Sequence, residues 1–239
     1  MRAIIIFIFL VLSAASLSAA QSAAPAKAFY PGEKITYNIK KMFVVGEATL
    51  EYKGLTEIEG KPAELIIFRA KAPAFFDEEK IYFDPQTFYP LKNFRDLDIF
   101  GKKQKIEETY FQDQNRVEIV DRSLDKSRKV EFKKTSSIDN VYGIIYRFRM
   151  KGDATLGAQL HAVLPTKEVN FTIAKEGNIK VNHQNQKALF MAGEPKNFGF
   201  WFSADDRRIP LRINGALGSM SAVMEFKSIC DKLCGGDAK

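Results

Sequence analysis

The chain has 239 residues, 46% of them hydrophobic, with a formal net charge of +7, which suits one large domain or two small ones with a sizeable core. Two cysteines and two isolated histidines are too few for a disulfide scaffold or a zinc site. The positive charge is spread along the chain and interrupted by acids, and no nucleic-acid-binding motif accompanies it, so nucleic acid is not an expected partner.

Residues 1–20 read as a signal peptide. Arg2 precedes an apolar stretch from Ala3 to Leu12, and Ser18 and Ala20 suit the −3 and −1 positions of a cleavage site, so Gln21 would begin the mature chain. That stretch is too short to span a bilayer of about 30 Å, and no later run of 18 apolar residues exists, so the processed protein is not expected to be integral to the membrane. The cleavage site carries no cysteine, which argues against a lipid anchor. Residues 21–28, "QSAAPAKA", lack periodicity and read as a flexible lead-in.

From residue 29 the dominant period is two. Ile35, Tyr37 and Ile39 alternate with polar neighbours, as do Ala48/Leu50/Tyr52, Val169/Phe171/Ile173 and Leu211/Ile213, and the same spacing recurs at Phe198/Phe200/Phe202 and Ala222/Met224/Phe226. Such alternation predicts antiparallel sheet with one face in a core. "EIEGKP", "DPQT", "FGKK", "QDQN" and "KEGN" read as the connections. Their spacing predicts about ten strands, a barrel or sandwich count. The exception is 136–150, "SSIDNVYGIIYRFRM", where Val141, Ile144, Ile145 and Phe148 recur at helical spacing behind Ser137 or Asp139 as N-cap. The expected fold is mainly β, an antiparallel barrel-like or two-half-sheet domain over 29–229, with one helix at about 138–150 packed on the sheet. Residues 230–239 form a tail in which Cys230 and Cys234 are a disulfide candidate, with free thiols as the alternative.

Candidate site residues are few. "WFSADDRRIP" sets Trp201 beside Asp205, Asp206, Arg207 and Arg208. Adjacent acids in a turn have no frame to flank a scissile bond, so no catalytic residues are assigned. Arginine beside exposed aromatic surface can bind carboxylate, phosphate or sugar, which makes Trp201, Asp205, Arg207 and Arg208 binding candidates. A plain turn with local ion pairs is the alternative. Phe75 and Phe76 fall in a connection, where they would form a lid over a barrel end or staple a loop to the core. His161 reads as a hydrogen-bonded structural residue and His183 as surface. No phosphate loop, nucleophile elbow or metal motif is present, so no cofactor and no metal are expected.

Three stretches, "FYPGEKITYNIKKMFVVGEATLEY", "YFDPQTFYPLKNF" and "WFSADDRRIPLRINGALGSMSAVMEF", resemble in order the motifs of bacterial exported proteins grouped as domain-of-unknown-function 3108. The likeness covers most of 29–229, with Val45, Ala204 and Met224 departing from the usual pattern. It implies a periplasmic, mainly antiparallel, barrel-like fold and supplies no catalytic residues. With twenty phenylalanines available to line such a barrel, the expectation is a non-enzymatic periplasmic protein that binds an apolar or amphiphilic cell-envelope component, lipid-like or polymeric. The alternatives are a structural protein with an envelope protein partner, or a hydrolase acting on envelope glycan or lipid.

Overall fold

A computed structural model describes residues 29–41, 44–123, 126–196, 198–215 and 222–231. The leader, the lead-in and Cys234 lie outside the described residues. Eight strands come first: β1 (Lys34–Lys41), β2 (Val44–Ile58), β3 (Lys61–Ala72), β4 (Phe75–Phe83), β5 (Pro90–Ile99), β6 (Lys102–Phe111), β7 (Arg116–Ser123) and β8 (Lys126–Lys133). The helix α1 (Val141–Lys151) follows. Six more strands follow among the described residues: β9 (Gln159–Val163), β10 (Glu168–Val181), β11 (Gln184–Glu194), β12 (Gly199–Ser203), β13 (Pro210–Asn214) and β14 (Val223–Cys230).

All fourteen strands belong to one antiparallel sheet in the order β8-β7-β6-β5-β4-β3-β2-β1-β14-β13-β12-β11-β10-β9. From β1, in the middle of the sheet, the chain therefore runs to one edge, crosses by α1 to the other edge and returns to β14. The first and last strands, β1 and β14, pair along the midline through Ile35↔Ile229 and Ile39↔Met224. The sheet curls because several strands carry bulges, among them Tyr52/Gly54 in β2, Ile173/Lys175 in β10 and Trp201/Phe202 in β12. An extra residue on one strand bends it and raises its twist.

The curled sheet wraps α1. An isolated helix of 11 residues is marginal in water, and this one is held by burial on nearly all sides, with only Val141, Arg147 and Met150 partly exposed up to residue 150. Tyr142 stacks on Phe68 of β3 at 4.6 Å, while Phe148 meets Phe202 of β12 at 4.6 Å, so both wings of the sheet touch the same helix. Phe29 and Phe88 close on Tyr146 at 4.6 and 6.0 Å. The phenylalanines thus fill the interior around a helix. Each such side chain contributes about 1.5–3 kcal/mol by burial, far more than the helix propensity lost at Gly143. A Cβ at Gly143 would lie 2.7 Å from Cε1 of Phe83, so close approach explains that glycine. The helix begins at Val141, and its N-cap is Asn140 rather than Ser137 or Asp139: Asn140 Oδ1 accepts from the Tyr142 N–H at 2.9 Å.

β8 and β9, the two ends of the sheet, do not pair with each other. The stretch before α1 spans part of the gap. Ile138 exchanges hydrogen bonds with the Gln112 side chain at 2.9 Å each way, at the turn between β6 and β7. Asp139 donates its N–H to the Val163 carbonyl at 2.6 Å and accepts the Val163 N–H on Oδ2 at 3.2 Å. Asp139, expected as a helix cap, instead covers the edge of β9, where unpaired backbone groups would invite another strand.

Candidate functional site

The 205–208 turn is built by Asp205. Its Oδ1 accepts from Ser203 Oγ at 2.7 Å and from the N–H groups of Arg207 and Arg208 at 3.1 Å each. Arg208, in the left-handed region at φ 46°, donates through Nη1 to the carbonyls of Phe148 and Gly152 at the end of α1. The Phe148 carbonyl also takes the Gly152 N–H at 3.0 Å, the Gly152 carbonyl lies past the last turn, and a cation suits that end. Arg207 pairs with Asp231 and reaches Glu33 Oε2 at 3.1 Å. Its hydrogen bonds hold the Asp231 carboxyl below the usual carboxylate range. Glu33 forms a two-pronged ion pair with Arg149 at 2.6 and 3.0 Å, both side chains being 0% exposed. Asp205, Arg207 and Arg208 therefore form a clamp that ties the start of β1, the end of α1 and the end of β14 to one turn. Trp201 lies apart, 4.8 Å from the Phe190 ring, with Lys175 Nζ 5.2 Å from its own ring. Cys230, the last residue of β14, is disulfide-bonded.

Phe75 and Phe76 do not lie in a connection: they open β4, opposite Ala72 and Lys71 of β3. Phe75 packs on the core and Phe76 is exposed. His161 is exposed, with Nδ1 2.7 Å from Asn170 Oδ1, and His183 occupies the β10–β11 turn. None of these residues, nor Trp201, Asp205, Arg207 or Arg208, lines the cleft beside the start of α1.

That cleft, about 450 Å³, opens between β4–β7, the start of α1 and the loop after β9. Its floor comes from strand register. Asp77, Glu79 and Ile81 share the inward face of β4; Glu79 stands opposite Arg95 and Ile81 opposite Asn93, and Asn93 stands opposite Glu108 of β6. Asn93 Nδ2 donates to both Glu79 Oε2 (3.0 Å) and Glu108 Oε2 (3.2 Å). Tyr110 donates its hydroxyl to the same Glu108 oxygen at 2.6 Å. Arg95 donates twice to Asp77, at 2.8 and 2.6 Å, with Nε 3.5 Å from Glu79 Oε1. Ile119, Val141, Leu164, Pro165 and Phe198 provide the apolar walls.

Two floor atoms have no hydrogen-bond partner among the described residues: Asn93 Oδ1 and the Tyr142 hydroxyl, on side chains each 2% exposed. Buried polar atoms are costly unless paired, which makes these two the strongest sign of a ligand-facing surface. Burial, reinforced by Asp77 and Glu108 and opposed by Arg95, pushes the Glu79 carboxyl up to about 7. Burial raises the Asp139 carboxyl as well, although Arg147 pairs with it. A second hollow, about 350 Å³ beside the β10–β11 tip, has two of its three lysine and arginine side chains, Lys40 and Arg212, paired with Glu225; the third is Lys180. Among the described residues no group of three or more His, Cys, Asp or Glu is placed to hold a metal ion, and no helix is long and apolar enough to cross a membrane.

The cleft residues escape the sequence reading, yet a signal for them exists. In "FFDEEKIYF" the face that carries Ile81 and Phe83 turns to Asp77 and Glu79, and a carboxylate on a core face is the informative anomaly.

A family model described as "Protein of unknown function (DUF3108)" matches residues 34–227. Among solved structures the chain is similar to a "Beta-barrel-like Protein of Domain of Unknown Function DUF1849 from Brucella abortus". The identity is 8% and the TM-score 0.49, over 84% of this chain and 98% of that one. No curated protein matches.

Proposed function

We propose, from the premise that the chain belongs to the DUF3108 family of unknown function, that it is a non-enzymatic binding protein for a small amphiphilic component of the cell envelope. The ligand sits in the end cleft, and the protein works in the periplasm once residues 1–20 are removed. One observation carries the reading: a cleft of about 450 Å³ joins an apolar wall to a polar floor with two unpaired buried atoms. Its volume falls within the range of about 300–1,000 Å³ typical of small-molecule sites. The helix and phenylalanines occupy the middle of the barrel, so an amphiphile at its end fits better than a wholly apolar guest inside.

Native mass spectrometry of protein released gently from its own cells tests the reading. A discrete adduct should appear and should vanish in Thr166→Trp, which fills the cleft from an exposed lining position. Bare protein in both samples overturns it. Fractionation of cells with and without residues 1–20 tests the compartment, and retention of the full-length protein in the cytoplasm would refute it.

A second reading is favoured by Glu79, whose carboxyl titrates at about 7, where a general acid or base works best. It makes the protein a hydrolase of envelope glycan or lipid. Glu79→Gln would then abolish turnover while the adduct persists.

A further inference from the structure

The hydrogen-bond inventory of the cleft floor carries the reading one step further. Both Asn93 N–H groups are spent on carboxylates, the Tyr110 hydroxyl is spent on Glu108, and Arg95 turns Nε and Nη2 to Asp77. Arg95 Nη1 keeps its donors, and beside it stand more acceptors: Asn93 Oδ1, free lone pairs on Glu79 and Glu108, and a Tyr142 hydroxyl that can donate or accept. Charge points the same way. Arg95 is shared between Asp77 and, at 3.5 Å, Glu79, and Arg147 answers Asp139, so Asp77, Glu79 and Glu108 have one guanidinium among them. The remaining positive group on the lining, Lys167, lies 4.3 Å from the Phe198 ring.

Resting on the amphiphile reading above, we infer that the head group bound on this floor is a hydrogen-bond-donating cation, an organic ammonium, with its apolar tail along Ile119, Leu164 and Phe198. An ammonium offers three N–H donors and no acceptor, which suits a floor richer in acceptors. A carboxylate or phosphate would bring acceptors to acceptors and a negative charge to two carboxylates, a mismatch that desolvation makes worse.

Hexylammonium, hexanol and hexanoate share one tail and differ in the head, so titrating each into the purified protein at pH 8 by calorimetry isolates the head group. Hexylammonium should bind at least about tenfold tighter than hexanol, with hexanoate weakest. Glu108→Gln should cut that advantage to below about threefold. Tyr142→Phe, which removes a single oxygen, should weaken hexylammonium more than hexanol and serves if the first variant folds poorly. If hexanol or hexanoate matches or exceeds hexylammonium, and Thr166→Trp blocks it, the ammonium inference falls and the amphiphile reading stands. If none of the three binds, both fall.

Discussion

Replacing Glu79 by Gln should make the protein more stable at neutral and alkaline pH. Glu79 is only 6% exposed and its carboxyl is raised from the ordinary 4.5 to about 7. The folded state therefore holds this proton over a range in which the unfolded state has lost it. Stability from this group is fully present below about 4.5, declines as pH rises through about 7, and is level above that. At about 1.4 kcal/mol for each tenfold step in proton concentration, the window corresponds to about 3 kcal/mol. Glutamine keeps the shape and cannot ionise, so subtracting wild type from variant cancels the other carboxyl groups to first order. Urea unfolding at pH 4, 6 and 8, followed through the single tryptophan, Trp201, supplies the numbers. The variant-minus-wild-type difference should rise by about 3 kcal/mol between pH 4 and 8. A flat difference, or a variant less stable than wild type at pH 8, would refute the reasoning. It would mean that Asn93 and Arg95 stabilise the Glu79 charge better than burial penalises it.

Arg149→Met should cost about 3–5 kcal/mol, because it removes the two-pronged partner of a fully buried Glu33 carboxylate and leaves it only the partly exposed Arg207. Adding Glu33→Gln should recover much of that loss in the same unfolding assay, and strict additivity of the two changes would count against the pair. Gly143→Ala should cost about 1–3 kcal/mol by overpacking against Phe83, and Phe83→Leu in the same chain should relieve part of it. Asp139→Ala removes the Oδ2 acceptor of the Val163 N–H. Hydrogen exchange at Val163 should accelerate at least tenfold relative to β3 amides, whereas unchanged protection would show that Asp139 does not guard that edge.

Much of the architecture was legible wherever one face of a strand is dry and the other wet. Ile35/Tyr37/Ile39 and Val169/Phe171/Ile173 are buried on the faces their alternation indicates. The strand count fell short, about ten against fourteen, because β6 to β8 are partly wet on both faces, and "KKQKIEETYF" shows no clean period of two. "KEGN" was misread because it sits inside β10 just past a bulge. The real turn is Asn182–His183, where both residues adopt positive φ without a glycine to announce it. The turn at Asp205 was readable from side-chain chemistry, since aspartate accepts nearby N–H groups in any such bend. Its service as a clamp was not, because Glu33, Arg149 and Asp231 come together only through pairing far apart in the chain. The cleft floor was half legible: alternation puts Asp77 and Glu79 on a core face, but only register brings Asn93, Arg95 and Glu108 beside them.

The midline junction of β1 with β14 has a consequence for how the molecule is born. Its earliest and latest strands are mutual neighbours, so a nascent polypeptide lacking its final ribbon has two separate wings and no way to zip them shut. Such late commitment, dominated by distant pairing, slows folding. It would leave the two wings uncommitted to one sheet until β14 has emerged.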